Sequence, residues 1–317
     1  MIPRLGFLGL GWIGRHRMER LVESGAAEVA AVYDPAVADD DGLPHAGSYE
    51  ELLERDLDGV VIATPSALHA EQALGALDRG LAVFCQKPLA RNAEETARVV
   101  RAARSADRLL GVDLSYRFVA GAEQIRDLVR DGELGDVFAA ELVFHNAYGP
   151  DKQWFYDPEL SGGGCLIDLG IHLVDVALWT LGWPRVTAVE GNLFGDPVEH
   201  YAVAELELET GAVARIACSW HLHAGTDAVI GASFYGDRGG ASLRNVNGSY
   251  YDFVAERYRG REHETIAEPP DDWFGRAAEA WAEQLAADRS FDPEAERLVE
   301  VADVLDRIYA VRDRSAA

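Results

Sequence analysis

The stretch Gly9-Leu10-Gly11-Trp12-Ile13-Gly14 constrains this chain more than any other, because its three glycines fall between an apolar run and a segment of helical spacing. Leu5–Leu10 reads as a buried strand. Residues 12–24 place Ile13, Met18, Leu21 and Val22 at helical spacing, and Gly25 follows as a C-cap. In such a strand–turn–helix unit Gly9 permits the tight turn. Gly11 lets the backbone approach a pyrophosphate, and Gly14 lets helix and strand pack closely. Trp12 and Ile13 belong to the same candidate cofactor-binding loop. A lone glycine motif is weak, but here a second apolar run, Val29–Tyr33, leads to Asp34, 20 residues after Gly14. That spacing suits a carboxylate accepting the adenosine ribose hydroxyls. A 2′-phosphate would meet Asp34, with Asp39, Asp40 and Asp41 close in sequence and no neighbouring arginine. NAD is the expected cofactor, and NADP is disfavoured.

The pattern then alternates. Tyr49–Leu53 reads as a short helix, Gly59–Ala63 as a strand, His69–Arg79 as a helix, Ala82–Cys85 as a strand, Ala93–Ala106 as a helix and Leu109–Val112 as a strand. Strands alternating with helices imply right-handed crossovers and a doubly wound parallel sheet, a Rossmann domain over residues 1–116. The character changes afterwards. Ala120–Arg130 reads as a helix, Val137–Asn146 as a strand and Cys165–Leu181 as one strongly apolar helix. Val186–Phe194, His200–Glu209, Val213–His221 and Ala228–Tyr235 read as strands of an antiparallel sheet, with turns at Gly211, Gly225 and the Gly239–Gly240 pair. Residues 272–287 and 293–312 close the chain as helices. Residues 117–317 are therefore expected to form an α+β domain for substrate binding and oligomerisation, whose last helix can pack back on the first domain.

Composition narrows the partners. A length of 317 residues suits two domains. The formal net charge of −25 repels nucleic acid and anionic lipid, so neither is an expected partner. No uninterrupted apolar run reaches the ~20 residues of a membrane span. The apolar stretch Leu5–Ile13 carries three glycines and no cleavage pattern follows it, which argues against a signal peptide. Cys85, Cys165 and Cys218 are odd in number and widely spaced, as reduced thiols of a cytoplasmic protein would be. Of 29 basic residues only Lys87 and Lys152 are lysines. A lysine retained in such a chain is a candidate for what arginine cannot do, to titrate or to fit as a compact ammonium.

Three further segments carry candidate chemistry. Cys85-Gln86-Lys87-Pro88-Leu89 follows the fourth strand, and ligands of open α/β sheets bind beyond the carboxyl ends of strands. Gln86 and Lys87 are thus candidate cofactor contacts. Lys87 is held extended before proline, where a cis bond is an option. In Gly162–Asp175, Asp168 and His172 are four apart and share a helix face, which Asp175 continues. Acidic and imidazole groups on an otherwise apolar helix are costly unless used. A metal site competes with this reading, but no cluster with metal spacing accompanies them, and no metal is expected. Thr64, Pro65 and His69 sit after the third strand as weaker candidates for the nicotinamide side, the alternative being a helix start with an exposed histidine. His221 and His223 alternate on a strand and would face one side of the sheet. Arg117, Trp154 and Tyr156 are weaker candidates for substrate contact, the aromatics by stacking on sugar C–H faces.

Together the glycine loop, Ala63–His69, Val83–Ala90 and Gly162–Gly182 resemble the Gfo/Idh/MocA family, the glucose–fructose oxidoreductase and inositol dehydrogenase group. The resemblance runs along nearly the whole chain. It implies a Rossmann domain, a second domain with an open, mostly antiparallel sheet that often mediates oligomers, and Lys87, Asp168 and His172 as the catalytic set. It departs at Gln86, where the family usually has Glu, which puts the tuning of Lys87 in question. The expected activity is hydride exchange between NAD(H) and a hydroxyl carbon of a sugar or cyclitol. The chain would act in a homo-oligomer, a dimer or tetramer assembled through the second sheet. An NAD-dependent glycosidase or lyase using transient oxidation, and a non-catalytic dinucleotide-binding regulator, are the alternatives.

Overall fold

Five short apolar runs become five parallel strands, as their near-continuous hydrophobicity requires of strands buried on both faces. The computed structural model describes residues 1–37 and 42–315, so Asp39, Asp40 and Asp41 lie outside the described residues. The chain divides into two units, Met1–Asp113 with Gly275–Glu300, and Leu114–Phe274 with the residues from Val301 onward. In the first unit β1 (Arg4–Leu8), α1 (Trp12–Glu23), β2 (Glu28–Tyr33), α2 (Tyr49–Leu53), β3 (Gly59–Ile62), α3 (Ser66–Asp78), β4 (Ala82–Cys85), α4 (Ala93–Ala106) and β5 (Leu110–Val112) alternate. The sheet order is β2-β1-β3-β4-β5, all parallel. One side packs Leu8, Ile62 and Val83 against Ala73 and Leu77 of α3 and Val99 and Ala103 of α4. Side chains begin the amphipathic helices: Asn92 accepts from the Glu95 N–H at α4, and Ser48 from the Glu51 N–H at α2.

Strand order reverses between β1 and β3, and there the glycines show distinct reasons for being glycine. Gly9 has φ +86°, and a Cβ on it would lie 2.5 Å from the Ala63 carbonyl oxygen, just past β3. A Cβ on Gly14 would lie 2.0 Å from the Gly9 carbonyl oxygen. Around Gly11 nothing lies within 4 Å of the Cβ position. Two glycines are thus demanded by backbone packing, and the third borders open space at the start of α1.

The second unit holds α5 (Ala120–Arg130), β6 (Val137–Asn146), α6 (Pro158–Ser161) and α7 (Ile171–Thr180), then strands β7 (Val186–Phe194), β8 (Tyr201–Leu208), β9 (Val213–Ser219), β10 (Ala228–Gly236), β11 (Gly240–Asn245), β12 (Phe253–Arg259) and β13 (Glu262–Ala267). Its eight strands run β13-β12-β11-β10-β6-β9-β8-β7. The sheet is mostly rather than wholly antiparallel, because β6 pairs in parallel with β9. One face buries Ala140, Leu142 and Phe144 of β6, Ile216 of β9 and Phe234 of β10. The opposite face carries half-buried Val143 and Val203 beside Glu141, Arg215 and Glu205. Three strands, β11 to β13, escape the sequence reading. Gly240, read as a turn, opens β11, and β13 is a charged edge strand with no apolar alternation to reveal it. The strand expected to reach His221 stops at Ser219. His221 then takes φ +60°, so it and His223 do not share a strand face.

The apolar helix expected over Cys165–Leu181 is two pieces: a π-helical turn, Leu166–Gly170, followed by α7. The helical run Pro158–Thr180 is long and apolar enough to cross a membrane by length and composition, yet 83% of its most apolar window is buried within the protein. Asp175 does not continue a working stripe with Asp168 and His172. It is buried and holds the Arg117 guanidinium through both carboxylate oxygens, Nε at 2.8 Å. Arg117 also lies over the Trp183 ring, 5.2 Å from its centroid.

After β13, α8 (Arg276–Ala287) belongs to the first unit. Trp281 of α8 packs on Phe84 of β4 and fills the space above Gly59 and Gly111. The final helix, α9 (Arg297–Ser315), starts in the first unit and continues in the second from Val301.

Two outcomes follow from this packing. Gly14→Ala is expected to cost roughly 3 kcal/mol or more, because backbone is what its Cβ meets. Gly11→Ala should stay within about 1 kcal/mol. Melting curves of the two variants check this, and equal midpoints would contradict it. Asp175→Asn should cost about 3–5 kcal/mol, the usual loss on breaking a buried pair. A loss under ~1 kcal/mol in denaturant titration would mean that water replaces the carboxylate at Arg117.

Candidate active site

At the carboxyl end of the parallel sheet, Asp34 ties β2 to the glycine loop. Its Oδ2 accepts from the Leu10 N–H at 2.7 Å and its Oδ1 from the Ala36 N–H at 2.8 Å. Each carboxylate oxygen keeps further acceptor capacity, so the group remains able to receive ribose hydroxyls. The open space at Gly11, with Trp12 and Ile13 starting α1, suits a pyrophosphate, and Trp12 is 67% exposed there. The residues present therefore fit a dinucleotide.

The loops after β3 and β4 meet at His69. Its Nε2 lies 2.7 Å from the Thr64 carbonyl oxygen and its Nδ1 2.7 Å from the Pro88 carbonyl oxygen. The ring is buried, and burial holds its pKa below the usual histidine range. His69 is thus not an exposed residue at a helix start. It lies between the two loops with both ring nitrogens near backbone carbonyls and, when neutral, one N–H to donate to one of them, and Thr64 turns its own hydroxyl to Gln72 Oε1 at 2.6 Å. Pro65 precedes the first turn of α3. The Lys87–Pro88 bond is cis, and Lys87 is half-buried. The residue before it, Gln86, belongs to a group that sequence reading misses. The Arg17 Nε–H donates to Asp113 Oδ2 at 2.5 Å, and the Gln86 side-chain amide donates to the same oxygen. Arg17 and Asp113 are each 1% exposed and Gln86 is 8% exposed. No local pattern marks a pair 96 residues apart.

In the second unit every residue from Gly163 to Thr180 is buried except Asp168. The Trp220 indole donates to Asp168 Oδ2 at 3.1 Å. The π turn that carries Asp168 is secured from behind by Glu199. Buried Glu199 Oε1 accepts from the Gly164 N–H at 3.0 Å, the Leu166 N–H at 2.8 Å and the Tyr309 hydroxyl at 2.9 Å. Burial raises the Glu199 pKa against these bonds. The glycine run 162–164 makes room for this arrangement. A Cβ on Gly163 would meet the Tyr309 hydroxyl at 2.1 Å, and one on Gly164 the Glu199 carbonyl oxygen at 2.0 Å. Cys165 and Cys218 meet beside it, sulfur to sulfur 3.9 Å, and all three cysteines are free and buried.

His172 lies at the start of α7 with the edge of Tyr116 against its ring at 4.9 Å and Phe144 at 6.3 Å. Burial pushes the Tyr116 hydroxyl pKa up, and the nearby Tyr250, Tyr251 and Asp168 add to the effect. Tyr156 sets its ring on Trp220 at 5.6 Å and donates to the Pro150 carbonyl at 3.0 Å. Burial raises its pKa, followed by the Asp168 charge. Trp154 stacks on Phe155 at 3.8 Å. The second unit thus brings Asp168, Tyr156 and the neighbourhood of His172 together. It assigns Arg117 to Asp175, and it adds Trp220, Tyr116, Tyr250 and Tyr251, none of which a spacing rule marks. Among the described residues, no group of three or more His, Cys, Asp or Glu side chains is placed to hold a metal ion.

Comparison with known proteins accords with this geometry. Residues 3–114 match the family described as "Oxidoreductase family, NAD-binding Rossmann fold", and residues 122–242 match the "GFO/IDH/MocA C-terminal domain". D-glucoside 3-dehydrogenase of Escherichia coli is 31% identical over 211 residues, 61% of this chain and 60% of that protein. D-xylose 1-dehydrogenase (NADP(+)) 2 of Haloferax volcanii is 37% identical over 226 residues, 68% of this chain and 69% of that one. The aldose-aldose oxidoreductase of Caulobacter crescentus, solved with glycerol, superposes with a TM-score of 0.87 at 23% identity, covering 99% of this chain and 98% of that chain. The two matched segments take in most of the sequence, and the chain belongs to the GFO/IDH/MocA family.

Proposed function

We propose that this protein is an NAD-dependent oxidoreductase that exchanges hydride with a hydroxyl carbon of a sugar or cyclitol. The observation that carries the reading is Asp168, the one residue not buried between Gly163 and Thr180, four residues before His172. A carboxylate fixed by an indole N–H, beside a buried histidine and several tyrosines, suits a polyhydroxylated neutral ligand. The nicotinamide, when bound, supplies the hydride acceptor or donor. Lys87 donates a hydrogen bond to the reacting oxygen and steadies its developing negative charge. His172 takes the hydroxyl proton in oxidation and returns it in reduction. Asp168 orients substrate hydroxyls.

The cofactor reading rests on Asp34. A 2′-phosphate brought to the ribose position would meet its carboxylate, already held by two backbone amides. The Haloferax relative is named for NADP(+), so the family by itself does not decide this point. The half-apolar face of the eight-stranded sheet, with Val143, Val203, Arg215 and Glu205, supports assembly into a homo-oligomer. Three buried free thiols accord with a cytoplasmic location.

A panel of sugars and cyclitols offered with NAD and with NADP, followed at the NADH absorbance, tests the reading. Wild-type protein should favour NAD in kcat/KM, and Asp34→Ala should narrow the gap. A wild-type preference for NADP would refute the role given to Asp34. On the substrate so found, kcat/KM for oxidation should rise with pH through an ionisation in the histidine range. His172→Ala should lose ~10²–10⁴-fold in rate and with it that step. Lys87→Arg should lose roughly 10²-fold or more in kcat with NAD binding and melting near wild type, since arginine keeps charge but not compactness. Near-normal turnover in Lys87→Arg would reduce Lys87 to a generic cation.

A further inference from the structure

Lys87 is preceded by a residue whose chemistry is set by a partner far away in sequence. Gln86 follows β4 directly, Asp113 follows β5, and Arg17 lies one turn into α1 beyond Gly14. All three side chains are buried, and two donors converge on one atom, Asp113 Oδ2. This buried group holds one guanidinium, one carboxylate and one neutral amide, with the His16 Nδ1 3.3 Å from Arg17 Nη1, its pKa held below the usual histidine range by burial, and the Cys85 thiol, pushed up by burial, near Asp113. The amide is neutral filler for the ion pair and also a donor, something a carboxylate at 86 could be only by taking up a proton. A second carboxylate beside Asp113 would leave two acids against one cation, in surroundings where like charges cannot both ionise cheaply.

We propose that Gln86 is a positioning residue for Lys87, anchored by donating to the Arg17-paired carboxylate of Asp113, so that position 86 must be an amide as long as position 113 is an acid. The acid and the amide can be exchanged between the two positions but not duplicated as two acids. The role in catalysis rests on the reading of Lys87 given above. The acid–amide pairing itself does not, because melting tests it independently of turnover. Arg17 Nε and the residue 86 side chain meet the same oxygen, so a carboxylate moved to 86 remains in Coulomb range of Arg17.

The test is a double-mutant cycle of Gln86→Glu, Asp113→Asn and the two together, read by melting between pH 6 and 8 and by kcat. Gln86→Glu should melt lower than wild type at pH 8 and recover part of that loss at pH 6, where the carboxyl pair takes up a proton. Its kcat should fall at least ~10-fold and follow the same pH trend. The exchanged variant should melt above both single variants and recover kcat to within about fivefold of wild type. A Gln86→Glu protein with wild-type melting and kcat overturns the proposal. So does an exchanged variant no better than the worse single one. Lowered melting with wild-type kcat and pH profile would leave the pair structural and defeat the positioning role. If wild type turns over nothing on the sugar and cyclitol panel, the functional reading fails instead, and the pairing is still decided by the melting cycle.

Discussion

The first unit depends on a contact between backbones. With no side chain at Gly9 or Gly14, α1 starts close against the chain leaving β1, and the glycine loop rests on Ala63 past β3. That close approach sets where α1 lies over the sheet, and Arg17, one turn further along, therefore reaches Asp113 at the end of β5. Asp113 in turn receives Gln86, the neighbour of Lys87. A constraint that looks local to a phosphate-binding loop thus extends along α1 to the lysine loop. A side chain at Gly14 would displace the far end of that path as well as the near one. His69 supplies a second route, placed between carbonyls of the loops after β3 and β4.

The second unit solves a similar problem with a buried acid. A π turn leaves backbone amides near its start that need acceptors away from water. Glu199 supplies one oxygen to two of those amides and to the Tyr309 hydroxyl. Burial works against its ionised form, and the three donors work for it. Gly163 and Gly164 are glycines because Tyr309 and Glu199 take the space their side chains would need. The run Gly162–Gly164 is easily mistaken for a phosphate-binding loop. Its glycines instead let a carboxylate and a phenol close over the beginning of a helix, and the result is one polar side chain, Asp168, held at the edge of an otherwise buried stretch.

Much of this was legible in the sequence where the signal is local. The five parallel strands, α4 at Ala93–Ala106 and β7 at Val186–Phe194 follow from apolar runs, caps and turn glycines. The GxGxxG loop and Asp34 follow from spacing. What was not legible has a common physical character. Arg17–Asp113, Arg117–Asp175 and Glu199–Tyr309 are buried polar pairs joined across 58 to 110 residues, and nothing in the local pattern distinguishes them from surface charges. β13 was missed because an edge strand can be written in charged residues. Asp168 and His172 were read on one regular helix because periodicity cannot see a π turn. His69 was weighed between a ligand contact and an exposed residue, and its burial removes the second alternative.

The scarcity of lysine gains meaning from these burials. Arg17, Arg20 and Arg117 each hold a carboxylate partly or wholly out of water. A guanidinium keeps its charge on desolvation and offers a planar fork to both carboxylate oxygens, whereas a buried ammonium shifts toward its neutral form. In a chain whose structural ion pairs are built this way, arginine is the fitter residue wherever a cation must stay a cation. Lys152 is exposed and needs no special account. Lys87 is half-buried beside a charge-balanced group, at the carboxyl end of a parallel strand. That is a place where arginine would have been the safer structural choice, and the ammonium differs from a guanidinium there in its compactness, the difference on which the proposed role of Lys87 rests.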